Sequence, residues 1–280
     1  MLPHGGKYGV EKVAGRPLGI GILRKQEEEM SGHSKWSSIK HKKAAEDAKR
    51  GQMFSKLSRA IIVAAREGGG NPETNIALAN AIEKARSYSM PKENIERAIK
   101  RGTGEGSAEE FEKITYEGYG ADGVAVMVDV MTDNRNRAAS DIRRIFNRTG
   151  GSLGTTGCVA WMFEKKGNII VNRDSGVDED ALLETALEAG AEDVTSEDDH
   201  WEIVTDVESF RGVVEALVNA GVEVASAQVT MLPKNTVKLD KEAAKKVLKL
   251  VDALEEYEDV QEVYANFDIP DDILAEIAEE

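Results

Sequence analysis

One cysteine in 280 residues, Cys158, excludes an intramolecular disulfide and leaves no thiol pair for a zinc ribbon. The four histidines do not fall at zinc-ligand spacing either, so no metal and no cofactor is expected. Long apolar runs are missing too. The longest early one, Pro17-Leu18-Gly19-Ile20-Gly21-Ile22-Leu23, is glycine-broken and far short of the roughly 18 residues of a membrane span. No small-residue cleavage pattern follows it. These absences predict a cytoplasmic protein, neither secreted nor membrane-inserted.

Catalytic signatures are equally scarce. The two early histidines lack acid partners at useful spacing, Cys158 carries no nucleophile motif, and the carboxylates scatter over helix surfaces. His200 beside Asp198 and Asp199 reads as a turn. Gly102-Thr103-Gly104-Glu105-Gly106-Ser107 alternates glycines, but no Lys-Ser/Thr follows, so it reads as a linker and not a phosphate loop. No enzyme and no small-molecule substrate is expected.

What is present is charge, unevenly divided. The net charge is −15, yet residues 31 to 101 hold 15 Lys+Arg against 7 Asp+Glu, a net of +8. Residues 102 to 280 hold 16 against 40, a net of −24. Fields decay over about 8 Å at physiological salt, so local charge governs binding. A basic front and an acidic rear suit a protein that docks on nucleic acid at one end.

Residues 1–30 show no periodicity and end in Glu27-Glu28-Glu29-Met30. They read as a disordered tail or as a leader preceding the true start at Met30. Helical stretches follow at Ile39 to Arg50, Gln52 to Glu67, Asn71-Pro72 onward, and Pro91 to Gly102. Strands and helices then alternate, from a period-two strand at Gly123 to Thr132 through a strand at Gly157 to Phe163 to a last strand at Val260 to Phe267. The economical fold is α+β: a helical N-terminal domain, then two α+β sandwich domains, the third inserted into the second. The expected boundaries are 31–106 for the helical domain, 107–165 plus 240–280 for the discontinuous middle domain, and 166–239 for the insert. A monomer is favoured.

The richest segment runs from Gly32 to Arg50. Lys35, Lys40, Lys42, Lys43, Lys49 and Arg50 would neutralise phosphates, Ser34 would hydrogen-bond them, Trp36 would stack on a base, and His33 and His41, interleaved among these, count with the binding residues. A solvated surface helix is the plainer explanation, but so few apolar positions leave the helix little to hold it without a partner. Lys56, Arg59 and Arg66 could extend this stripe. Lys92, Asn94, Arg97 and Arg101 sit where a helix-turn-helix recognition helix would present them, a weak signal in a small helical domain. Arg135, Arg137 and Arg143 belong to a second, lysine-free cluster that either contacts phosphate or pairs with neighbouring acids around a helix capped by Asp133 or Asn134. The glycine-rich run Gly150 to Gly157 reads as a hairpin entry, with the approach of its amides to a phosphate as the second possibility.

Several of these segments together resemble the YebC/PmpR family. They are Gly32-His33-Ser34-Lys35-Trp36, Lys40-His41-Lys42-Lys43-Ala44-Ala45, Met90-Pro91-Lys92-Glu93-Asn94-Ile95, Tyr116-Glu117-Gly118-Tyr119-Gly120, Asp133-Asn134-Arg135-Asn136-Arg137 and Val159-Ala160-Trp161-Met162-Phe163. The likeness runs from Ser31 to about Ile269. It implies three domains and no catalytic residues. Members are commonly described as probable DNA-binding transcriptional regulators. Others resemble ribosome-associated factors that assist translation of difficult, proline-rich stretches, and the mitochondrial translational activator of cytochrome oxidase belongs with them. The expected partner is therefore DNA, RNA or both, with the ribosome as the alternative to an operator.

Overall fold

A computed structural model describes residues 46–104, 111–197 and 200–279, without the side chains of residues 46–50, 271, 278 and 279. The start expected at Met30, the leader, and the predicted helix as far as residue 45 lie outside the described residues.

Helix α1 (Glu46–Gly68) runs straight through Gly51, merging two predicted helices into one. A glycine inside a helix costs only about 1 kcal/mol, which packing readily offsets. Leu57, Ile61, Ala64 and Ala65 of α1 bury against Leu78, Ile82 and Ala85 of α2 (Ile76–Ser87) and Ile95 and Ala98 of α3 (Lys92–Gly102). Gly102 is required where α3 meets α1: a β-carbon there would lie 2.5 Å from the Ile62 carbonyl oxygen.

Helix α2 begins at Ile76 and not at the expected Asn71-Pro72, and its cap is Asn75. The Asn75 Oδ1 accepts from the Leu78 amide at 3.1 Å, while its Nδ2 donates to the carbonyls of Ala64 and Gly69, tying α1 to α2. Asn71 instead accepts from the Glu73 amide, closing a turn of its own.

The second domain is built on a four-stranded antiparallel sheet in the order β3-β1-β2-β9. Its strands are β1 (Glu112–Tyr119), β2 (Ala125–Thr132), β3 (Ser152–Leu153) and β9 (Val260–Ala265). Val126, Val128 and Val130 of β2 face helices α4 (Arg135–Arg148) and α7 (Lys241–Glu255), as alternation predicts. On the opposite face Ala125 and Met127 are covered by Val159, Phe163 and Met231. The predicted last strand is broken at Asn266, whose buried side chain accepts from the Ala125 amide at 2.7 Å. The chain then leaves the sheet, and β10 (Phe267–Asp268) pairs in parallel with β8 (Val237–Lys238) before α8 (Asp271–Glu279).

The third domain is inserted between these halves. Its sheet, ordered β5-β6-β4-β7, is antiparallel throughout. The strands β4 (Phe163–Asn172), β5 (Ala191–Ser196), β6 (His200–Thr205) and β7 (Ser226–Pro233) alternate with helices α5 (Glu179–Glu188) and α6 (Phe210–Asn219) in a split β-α-β pattern. The strand predicted from Gly157 is a turn and a short 3-10 segment at Ala160–Met162, with β4 starting only at Phe163. Both helices cover the face formed by Ile169, Val171, Trp201 and Ile203.

Entry and exit of the insert are cross-strand neighbours, Phe163 opposite Pro233 and Lys165 opposite Met231. We therefore expect that replacing residues 166–230 by a two-residue Asn-Gly turn leaves the rest of the chain with one cooperative thermal transition in circular dichroism. A non-cooperative melt would show that the middle domain needs the insert.

Candidate nucleic-acid interface

Of the residues the sequence singles out, His33, Ser34, Lys35, Trp36, Lys40, His41, Lys42 and Lys43 lie outside the described residues. Lys49 and Arg50 stand on the first turns of α1, their side chains likewise outside. The geometry accounts for the rest.

Gln52, Lys56 and Arg59 are spaced i, i+4, i+7 along α1 and form one stripe. That stripe meets the C-terminal end of α7. The Gln52 Nε2 donates to the Glu256 carbonyl and the Lys56 Nζ to the Glu255 carbonyl, both at 2.6 Å. Arg59 donates to the carbonyl and carboxylate of Glu258, reaches Asp259 at 3.2 Å, and lies over the Phe111 ring. A helix C-terminus presents unsatisfied carbonyls and negative partial charge, so cations from a neighbouring domain satisfy both. Lys56 and Arg59 thus extend no open stripe. They fasten the helical domain to the middle one, helped by ion pairs from Lys84 to Glu262 and from Lys113 to Glu67.

Asp259 is the hub of this seam. It is buried, and its Oδ2 accepts from Thr132 at 2.8 Å and from Arg137 at 2.9 Å. Burial pushes the nearby Tyr257 hydroxyl up to about 12, against the opposing pull of Arg137, and that hydroxyl donates to Asp141.

The arginine cluster divides accordingly. Asn134 caps α4 through the Arg137 amide, Arg137 pairs with Asp133 as well as Asp259, and Arg144 pairs with Asp141. Arg135 and Arg143 are exposed and have no carboxylate partner among the described residues. Both flank Tyr116, whose hydroxyl donates to the Arg135 carbonyl at 3.3 Å. Burial raises that hydroxyl's pKa, and the two arginines oppose the rise without cancelling it. Two readings stood open for the cluster: Arg137 follows the pairing one, and Arg135 and Arg143 retain free charge.

The glycine-rich run turns at Gly150 and Gly157, both at positive φ. Its Gly150, Gly151 and Gly154 amides already donate to the carbonyls of Asn147, Phe146 and Glu117. The Glu117 carboxylate accepts from Gly157, Val159 and Ala160 at 2.6, 2.7 and 2.8 Å. Burial works to raise this carboxyl, but the three amides outweigh it and hold it below the usual range. Past that clamp Trp161 projects into solvent, 65% exposed, its indole nitrogen donating to the Cys158 carbonyl. Sequence reading gave neither Glu117 nor Trp161 a role.

On α3, Asn94, Arg97 and Arg101 border a cleft facing Phe54, Ser55 and Ser58 of α1, with Arg97 and Arg101 exposed. Among the described residues no group of three His, Cys, Asp or Glu could hold a metal, and no helix is long and apolar enough to cross a membrane.

Two family models match the chain, one for the TACO1/YebC N-terminal domain over residues 34–105 and one for the TACO1/YebC second and third domains over residues 111–267. A protein of Rubrobacter xylanophilus named "Probable transcriptional regulatory protein" is 61% identical over 250 residues, spanning 89% of this chain and all of that one. One of the same name from Dictyoglomus turgidum is 58% identical over 249 residues, with the same coverage. The crystal structure of a conserved hypothetical protein from Aquifex aeolicus superposes with a TM-score of 0.75 at 53% identity, covering 86% of this chain and 99% of that one.

Two outcomes are expected of this geometry. Because the Glu117 pKa is lowered on folding, its stabilisation is complete above the ordinary carboxyl range near 4.3 and is lost as pH falls through the lower folded value. Glu117→Gln should cost about 1.5–3 kcal/mol at neutral pH and make the melting temperature less sensitive to acid, as read by calorimetry between pH 2 and 7. An unchanged acid profile would deny the clamp. Arg59→Ala should lower stability by roughly 1–3 kcal/mol while changing nucleic-acid affinity less than twofold. A large loss of affinity on a stable variant would return Arg59 to the binding face.

Proposed function

The chain belongs to the TACO1/YebC family, and from that premise we propose that it is a cytoplasmic regulator of gene expression that binds DNA through the basic segment from His33 to Arg50. It does so without catalysis or cofactor. The name carried by its relatives supports a regulatory role. The observation that carries the nucleic-acid reading is the division of charge, +8 over residues 31 to 101 against −24 beyond.

The seam sharpens this division. Lys56, Arg59 and Lys84 are spent on the acidic middle domain. Attraction for a polyanion therefore falls to the segment ahead of them, with Arg135 and Arg143 as a second, smaller contact. Lysine and serine contacts position a protein on a backbone without reading bases, so sequence preference is modest. That same indifference supports a second reading, an RNA- or ribosome-associated translation factor.

Changing Lys40, Lys42, Lys43, Lys49 and Arg50 together to Ala should abolish binding of duplex DNA with circular dichroism unchanged. Each lost phosphate contact removes about 0.9 from the slope of log affinity against log salt on a duplex, so roughly four contacts flatten it by about three to four units. Arg135 and Arg143 changed together should give a smaller loss. A five-fold variant that binds DNA and RNA like the parent, at the same slope, sinks the reading. A loss confined to RNA selects the second one.

A further inference from the structure

The cleft between α1 and α3 has a composition that packing alone does not explain. It encloses about 180 Å³ and is bordered by Phe54, Ser55, Ser58, Asn94, Arg97 and Arg101. Arg97 and Arg101 are i, i+4 on α3, with Asn94 one turn ahead of Arg97, so all three share a side. The acids of that helix, Glu93 and Glu96, are not among the residues that border it, and Glu96 pairs with Lys92 at 3.5 Å. Arg97 is exposed and has no carboxylate partner among the described residues. Opposite stand two serine hydroxyls and a half-buried aromatic ring.

We propose that this cleft takes one unstacked nucleotide of a single-stranded nucleic acid, its base against Phe54 and its flanking phosphates on Arg97 and Arg101. The inference rests on the nucleic-acid reading above and adds a site to it. An aromatic face, hydroxyl and amide groups, and guanidinium charge are the chemistry by which proteins hold single strands. The volume is below the roughly 300–1,000 Å³ of sites that enclose a whole drug-sized ligand, which fits one ring and not a cofactor. A duplex is excluded by shape: a groove is entered by a protruding helix or ribbon, whereas this surface is concave and only a base already out of its stack can enter. Ser55, Ser58 and Asn94 would meet the sugar, where a ribose offers an additional hydroxyl.

The test uses the full chain with a fluorescent twelve-nucleotide single strand, as RNA and as DNA, and the matching DNA duplex, titrated at several salt concentrations. Arg97→Ala with Arg101→Ala should weaken single-strand binding at least tenfold and flatten its salt slope by about 1.4, at about 0.7 per contact, leaving the duplex within twofold. Phe54→Leu should cost about tenfold on single strands with the slope unchanged, because stacking releases no counterions. Ser58→Leu fills the cleft without touching the core and should give the same loss if Phe54→Leu loosens the fold. Stronger binding of RNA than DNA by the parent, lost in Ser58→Leu, would place the ribose hydroxyl in the cleft. If the arginine variant and Ser58→Leu both bind single strands like the parent while the five-fold basic variant does not, the cleft proposal fails and the proposed function stands. Equal losses on duplex and single strand would also overturn it. A parent that binds none of the probes overturns both.

Discussion

A single buried carboxylate, Asp259, joins three parts of the molecule. Arg59 reaches it from the helical domain, Thr132 and Arg137 from the first half of the middle domain, and it stands itself in the turn just before β9 in the second half. A buried charge without partners costs several kcal/mol, so this one is tolerable only with the arginines in place. Its neighbours follow from that need. Gln52 and Lys56 are aligned with Arg59 on one stripe, and the carbonyls they satisfy are the last ones of α7, just ahead of Asp259 in sequence. Polar contacts thus hold the helical domain on the acidic body at this seam.

The division of labour among the cations follows. Side chains near one another in sequence, Ser55 and Ser58 against Lys56 and Arg59, meet different surroundings because α1 turns successive residues to different sides. One face of that helix buries Leu57 and Ile61, a second meets α7, and a third lines the cleft with Phe54, Ser55 and Ser58. A charge count treats these faces alike, and only the fold separates them.

Much of the architecture was legible. Val124, Val126, Val128 and Val130 alternate and gave β2, and the apolar spacing of α7 left no other reading. The strands β1 and β5 escaped because their pattern is weak: Glu112, Lys113 and Glu117 interrupt the first, and Ala191 to Ser196 has Val194 as its only β-branched aliphatic residue. The C-terminal α8 was missed as well, its few apolar residues lying among carboxylates. Asn71 and Asn75 are equally good caps in sequence, and the choice was made by the carbonyls of Ala64 and Gly69, which only Asn75 reaches. Arg59 looked like its neighbours because its partner lies about 200 residues away. Glu117 carries no sign of its role in the sequence, since three amides converging on one carboxylate from a later loop leave no periodic mark.

The pairing of Phe163 with Pro233 has a mechanical side. The Lys234 amide donates to the Met162 carbonyl at 2.9 Å, so the two strands leading into the insert are stitched at their base. Tension between the two halves of the chain would pass across that stitch and through the β2-β9 ladder, bypassing the inserted sheet. The third domain is a side branch on the force path, and the other two bear the pull.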